Sequence, residues 1–195
     1  MLTWLRPTVI FASSMSICTK RSSSAYSLLI TLRARNFSRR SGGAMVALYD
    51  GFAALDWDTG QLELIADPEA DLPDTRFNDG KCDPRGRFLA GTMDMNESDP
   101  NGSLYSFDGK QVTCLLDGIT ISNGLAWSVD HKTFYYIDTP TREVKAFDYD
   151  LATGQIANSR VAIYVPESIG WPDGMTSDTD GNLWIAMWGG AQVTK

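Results

Sequence analysis

The sequence predicts an all-β chain built as blades of a β-propeller, and an internal repeat is the main reason. Three segments share one pattern: "RFNDGKCDPRGRFLAGTMD" from Arg76, "ISNGLAWSVDHKTFYYIDT" from Ile121 and "WPDGMTSDTDGNLWIAMWG" from Trp171. Each sets an acid or amide before Gly, then a short apolar stretch, a turn carrying Asp and a run of β-formers. The Asp79-Gly80, Asn123-Gly124 and Asp173-Gly174 pairs recur 44 and 50 residues apart, the period that propeller blades give. No run of about 18 apolar residues occurs, so no membrane-spanning helix is expected.

Taken in order, residues 1–40 read as a basic, Ser- and Arg-rich leader, disordered or targeting, with "SRRSGG" as its seam to a domain at 41–195. The domain opens on "AMVALYDG", "FAALDWDTG" and "QLELIAD", which enter mid-blade. One full unit is legible as four antiparallel strands, "GLAWSV", "TFYYIDT", "EVKAFDYD" and "RVAIYV", separated by turns at "DHK", "PTR" and "LATGQ". Alternation and enrichment in Tyr, Phe, Ile and Val favour strands, and Asp, Gly, Asn and Pro punctuate them. The last unit supplies two strands and part of a third. Together these give an arc of about three and a half blades. Such an arc leaves apolar blade faces in water, at roughly 25 cal/mol per Å², so self-association through the open faces is expected.

Charge separates the two parts. Residues 1–40 carry Arg6, Lys20, Arg21, Arg33, Arg35, Arg39 and Arg40 and no acid, whereas 41–195 hold the other ten Lys and Arg against all 24 acids. The acidic body lacks the basic surface that phosphate binding needs, which excludes a nucleic-acid partner, and a membrane partner is not expected either. The acid-free leader resembles an organelle transit peptide. Cys18, Cys82 and Cys114 form no CxxC pair, which indicates neither a disulfide framework nor a thiolate zinc site. Cys82 and Cys114 read as small core residues, and sparse cysteine implies a reducing compartment. The expected location is cytoplasmic, or mitochondrial if the leader is a transit peptide. His131 is the single histidine and sits in a turn, and no GxSxG elbow occurs, so a serine-nucleophile mechanism has little material. Trp127, Trp184 and Trp188 read as blade core, and Trp171 as either core or site.

In a propeller the first strand of each blade is innermost and lines the central channel. Asp79, Asn123 and Asp173 would then converge on the axis, with the Gly after each letting the backbone bend. Two carboxylates and an amide oxygen make a hard donor set for Ca²⁺, Mg²⁺ or Mn²⁺, and one that admits Zn²⁺.

From about residue 41 to 195, the phrases "RFNDGK", "DPRGRFLAGTM", "ISNGLAWS", "TFYYIDT", "FDYDLATGQI" and "PDGM" resemble those of the regucalcin and gluconolactonase family. The resemblance implies a six-bladed propeller that binds one divalent cation on its axis and hydrolyses sugar lactones. It implies that Asn123 and Asp173 are metal ligands, Asp173 also being the catalytic residue. It further implies that Arg76 and Asn78 contact substrate hydroxyls while Asp79 lies close to the metal shell, reaching it through a water. The family's third ligand is a Glu in a first-blade "GE-P-W" phrase, which nothing in 1–40 supplies. Some members carry an acidic substrate contact after "GTM"; the nearest ungapped position here is Asn96, with Glu97 beside it, and the contact is assigned to neither. Two functions follow: a divalent-metal-dependent sugar lactonase, or a catalytically inactive calcium-binding or protein-interaction member.

Overall fold

The computed structural model describes residues 29–31, 43–56 and 58–195. Four antiparallel meanders follow one another along the chain. The first sheet holds β1 (Leu29–Thr31), β2 (Ala44–Leu48), β3 (Gly51–Leu55) and β4 (Leu62–Ala66). The second holds β5 (Thr75–Cys82), β6 (Phe88–Asp94), β7 (Gly102–Phe107) and β8 (Val112–Ile119). The third holds β9 (Ser122–Trp127), β10 (Thr133–Asp138), β11 (Glu143–Tyr149) and β12 (Ile156–Tyr164). The fourth holds β13 (Trp171–Ser177), β14 (Leu183–Trp188) and β15 (Gln192–Thr194). Among the described residues the helical elements are two 3-10 turns, Thr139–Thr141 and Glu167–Ile169. The all-β blade architecture is as the repeat predicts.

The first blade is fuller than its sequence reading. Leu29, Ile30 and Thr31 pair with Ala47, Val46 and Met45, so β1 supplies the strand that the reading from "AMVALYDG" lacked. The seam at 38–43 therefore falls between two strands of one sheet. Leu, Ile and Thr are ordinary strand formers, a signal masked by the basic residues around them. The rest of 1–40 lies outside the described residues.

The blades are held face to face by three apolar clusters. One joins Met45, Ala47 and Phe52 of the first sheet to Phe77, Phe88, Ala90, Tyr105 and Phe107 of the second. The next joins Leu89, Leu104 and Ile119 to Leu125, Trp127, Phe134, Tyr136, Phe147 and Tyr149 of the third. The last joins Ala126, Ile137 and Val144 to Met175, Ile185 and Met187 of the fourth. Alternate residues of one strand thus serve different neighbours: Phe88 and Ala90 pack backward while Leu89 packs forward. Every residue of β6, β7 and β9 is buried as a result. The outer strands are the reverse, and β4 exposes Leu62 and Leu64. Cys114 lies exposed on outer strand β8 and Cys82 is half-buried, so Cys114 is not the core residue expected.

A polar clip ties the second and third blades at the end away from the β5 entry. Asp83, in the "DPRG" turn, accepts from the backbone N–H of Arg85 and Arg87 at 2.8 Å each. Its other oxygen accepts from Arg87 Nη1 at 2.7 Å and from the Tyr149 hydroxyl at 2.6 Å. The Arg87 guanidinium continues to the carbonyls of Leu151 and Ala152. The "DTDG" segment is a turn of the same kind, Asp178 accepting from the N–H of Asp180 and Asn182 and from the Trp184 indole. Removing the Asp83 carboxylate strands the Arg87 charge and the Tyr149 hydroxyl, which costs about 3 kcal/mol when one partner of a buried pair is deleted. Asp83→Ala is therefore expected to lower the urea midpoint of unfolding, and an unchanged midpoint would show that the clip contributes nothing.

Candidate functional site at the channel mouth

The inner hairpins can be aligned from their turns upward. The last paired positions are Cys82 opposite Phe88, Trp127 opposite Phe134 and Ser177 opposite Leu183. Four residues earlier on each inner strand stand Asn78, Asn123 and Asp173. The structural repeat is therefore shifted by one from the dipeptide repeat in its first copy. Asn78 is the counterpart of Asn123 and Asp173, and Asp79 stands where the other blades have Gly124 and Gly174. Matching Asp-Gly with Asn-Gly hid this, because both choices leave the strands that follow in phase to within one residue.

Each inner strand breaks its ladder at this level. The register shifts between Phe77 and Asp79, between Asn123 and Leu125, and between Pro172 and Met175. A bulge leaves a residue unpaired and re-aims its side chain, which is how polar groups appear at the mouth of strands that are otherwise core. Gly124 is required sterically: a Cβ there would meet the Asp173 carbonyl oxygen and Ile137 Cδ1 at 2.7 Å. Gly174 has nothing within 4 Å, so the expectation that every such Gly relieves crowding holds at Gly124 and fails at Gly174.

Hydrogen bonds link the site residues across blades. Asn78 Nδ2 donates to the Ser122 carbonyl at 2.8 Å, and its Oδ1 accepts from Arg76 Nη1 at 3.2 Å. The same Arg76 nitrogen donates to the Phe77 carbonyl at 3.1 Å. Asn123 Nδ2 donates to Thr139 Oγ1 at 2.9 Å, and the Thr139 hydroxyl donates to the Pro172 carbonyl at 2.8 Å. Lys81 Nζ reaches from β5 to β13 and donates to the Met175 carbonyl at 2.7 Å. Neither Lys81 nor Thr139 stood out in the sequence. A lysine on an inner strand is a signal that could have found the first, but nothing local marks the second.

Burial dominates the electrostatics. It pushes the Asp79 carboxyl up to about 6, with the Gly80 N–H and the Lys81 charge pulling down and the Asp173 charge pushing up. Burial also raises Asp173, opposed by the Gly174 N–H and the Asn123 side chain. It lowers Lys81, opposed by Asp79, and lowers Arg76, opposed by the Glu97 carboxylate. Asp173 thus interacts with both Asp79 and Asn123, and Arg76 is joined to Asn78. Of the two residues considered after "GTM", Glu97 is the one whose charge Arg76 senses. Asn96 is exposed in the turn that the Asp94 carboxylate organises.

Aromatic residues border this level on the fourth blade. Trp171 is 41% exposed and carries the Arg142 guanidinium 3.7 Å from its ring centroid. It pairs across strands with Trp188, which at 71% exposure is not core, whereas Trp127 is buried. Asp173, Trp188 and Gln192 line an open cavity of about 630 Å³.

Among the described residues no three His, Cys, Asp or Glu side chains gather closely enough to hold a metal ion. The donors at the mouth are two carboxylates and an amide, the oxygen ligands that hard cations take. Both carboxylates are raised by burial, a cost that a cation would offset, so the residues present fit such an ion.

Consecutive antiparallel blades with inner strands that carry oxygen donors to one mouth define a β-propeller with a polar channel site. The chain belongs to the SMP-30/gluconolactonase/LRE-like family, whose model matches residues 19–195. Regucalcin from Xenopus laevis is 43% identical over 164 residues, 80% of this chain and 54% of that protein. The structure of a calcium-binding protein, regucalcin, from Agrobacterium tumefaciens superposes with a TM-score of 0.74 at 34% identity, covering 77% of this chain and 52% of that one. A gluconolactonase from Xanthomonas campestris superposes with a TM-score of 0.61 at 25% identity, covering 74% and 52%. The chain spans about half the length of these relatives.

Two outcomes follow from the geometry. The native Asp79 carboxyl keeps its proton up to about 6, while the unfolded one loses it near 3.8. The native state binds more protons in that window, so the Asp79 contribution to stability falls as pH rises through it. Asp79→Asn should therefore gain stability over the wild type between pH 4.5 and 7.5 in urea denaturation, and a constant difference would count against the burial of that charge. Second, Gly124→Ala should destabilise by about 1–3 kcal/mol through overpacking, while Gly174→Ala stays close to the wild type in the same measurement.

Proposed function

We propose that this chain belongs to a divalent-cation-dependent hydrolase of sugar lactones. The observation that supports it most is the joining of Arg76 and Asn78, through Ser122, to the level of Asn123 and Asp173. Two hydrogen-bonding side chains suited to sugar hydroxyls thereby stand beside an oxygen-donor set. When bound, a cation of the Ca²⁺, Zn²⁺, Mn²⁺ or Mg²⁺ class held by Asn123 and Asp173, with Asp79 reaching it through a water, would polarise the lactone carbonyl and acidify a water.

The protein's own groups have distinct parts in this reading. Arg76 donates from a planar fork and Asn78 both donates and accepts, so together they fix the rotation of a polyhydroxylated ring and make attack effectively unimolecular. Asp173, whose carboxyl is raised by burial, is suited to take a proton from the attacking water at Oδ and return it to the ring oxygen that leaves. The Glu97 charge favours the ionised Arg76 guanidinium against the cost of its burial. The products are an aldonic acid and a regenerated site.

The test is turnover of D-glucono-1,5-lactone with Ca²⁺, Zn²⁺, Mn²⁺ or Mg²⁺ and after chelation, beside Asp173→Ala and Arg76→Lys. Cation-dependent hydrolysis is expected, lost in Asp173→Ala. In Arg76→Lys a raised KM is expected, because a point charge does not replace a planar donor pair. A folded protein with no turnover above the spontaneous rate under any cation would overturn the lactonase reading.

A further inference from the structure

We infer that Thr139 is a positioning residue that fixes the Asn123 amide with its oxygen free to act as a cation ligand; this deepens the cation site proposed above and rests on it. The inference comes from the direction of two hydrogen bonds. The Pro172 carbonyl can only accept, so the Thr139 hydroxyl, 2.8 Å away, gives its proton to it. With that proton engaged, Thr139 Oγ1 can offer the Asn123 side chain only an acceptor, and it receives Nδ2 at 2.9 Å.

The amide nitrogen is thus assigned by its neighbour, and the Asn123 side chain also donates to the Asp173 carboxyl, so both amide protons are engaged and Oδ1 is the amide atom left for an ion. A flipped amide would set Oδ1 against Thr139. One hydroxyl proton would then serve two acceptors, leaving one of them unpaired in a buried setting. Both Thr139 and Asn123 are 8% exposed, so water does not readily substitute. The same hydroxyl anchors the backbone carbonyl immediately before Asp173, so one side chain holds two of the proposed ligands.

The repeat supports a dedicated role. Five residues after the hairpin positions Phe88, Phe134 and Leu183 stand Met93, Thr139 and Trp188, so the third blade alone among these three has a hydroxyl there. Outer groups that orient a ligand commonly control metal affinity by 10- to 100-fold, roughly.

The test compares wild type, Thr139→Ser and Thr139→Val. The first readout is NMR of the Asn123 side-chain amide in cation-free protein, assigned by its loss in Asn123→Asp. Amide protons protected from exchange with solvent are expected in the wild type and Thr139→Ser, and faster solvent exchange with shifted resonances in Thr139→Val. The second readout is Mn²⁺ binding by electron paramagnetic resonance, expected to weaken at least about tenfold in Thr139→Val and to persist in Thr139→Ser. An unaltered amide pair in Thr139→Val overturns the inference, even if its melting temperature falls. So does a fast-exchanging pair in the wild type, a result that needs no variant to fold. A wild type with the locked amide and no Mn²⁺ binding upholds the amide orientation and overturns the cation reading.

Discussion

The inner and middle strands of the second and third sheets have to satisfy two apolar neighbours at once, one on each face, and the rest of the molecule follows from that constraint. Phe88 and Ala90 must fit the first blade while Leu89 fits the third, on a strand whose side chains alternate by geometry. A one-residue slip would exchange the two sets, so register is strongly specified. Fixing the register in successive sheets also fixes which residues stand at the top of each inner strand. The site is in this sense a by-product of packing: Asn78, Asn123 and Asp173 share a level because Cys82, Trp127 and Ser177 are held at equivalent places in their hairpins.

Packing alone would turn alternate residues at the mouth into the blade interfaces, where a carboxylate is costly. The bulges resolve that conflict. They interrupt the ladder over one or two residues and restore the alternation below, so that Leu125 and Met175 resume their places in the core. The price is backbone crowding, greatest where β9 passes the Asp173 carbonyl and only Gly124 fits. Hydrogen bonds between blades then replace the interrupted ladder: Asn78 to Ser122, Lys81 to Met175, and Thr139 to Pro172.

The blade architecture was legible because strands announce themselves locally, through alternation, β-formers and Asp-bearing turns such as "DPRG" and "DTDG". The participation of Asp79, Asn123 and Asp173 was legible because repetition raised three ordinary turn dipeptides above background. What was not legible is non-local. The offset that makes Asn78 the true counterpart of Asn123 depends on where a bulge falls in the pairing with β6, which no dipeptide reveals. The first-blade strand Leu29–Thr31 was hidden inside a basic, Ser-rich stretch, where composition was read ahead of three good strand formers. The exposure of Trp188 and Cys114 depends on position across a sheet, which residue type does not encode.

The charges at the mouth are costly ones. Burial makes Asp79 and Asp173 each resist ionisation, and the Asp173 charge adds to the cost at Asp79. A fold selected for stability alone would replace them by amides, as Asn78 and Asn123 do at the same level of neighbouring blades. Lys81 does not neutralise the pair: its hydrogen bond goes to the Met175 carbonyl, and it reaches Asp79 through its charge only. Were Lys81 bonded directly to a carboxylate, the pair would be closed and a cation would have to displace it. Held instead by a backbone carbonyl, the ammonium braces β5 against β13, and the acids are met by the Gly80 and Gly174 N–H groups and, at Asp173, by the Asn123 side chain. The arrangement therefore keeps two buried carboxylates at one mouth, both raised by burial, beside an amide whose nitrogen donates to Thr139.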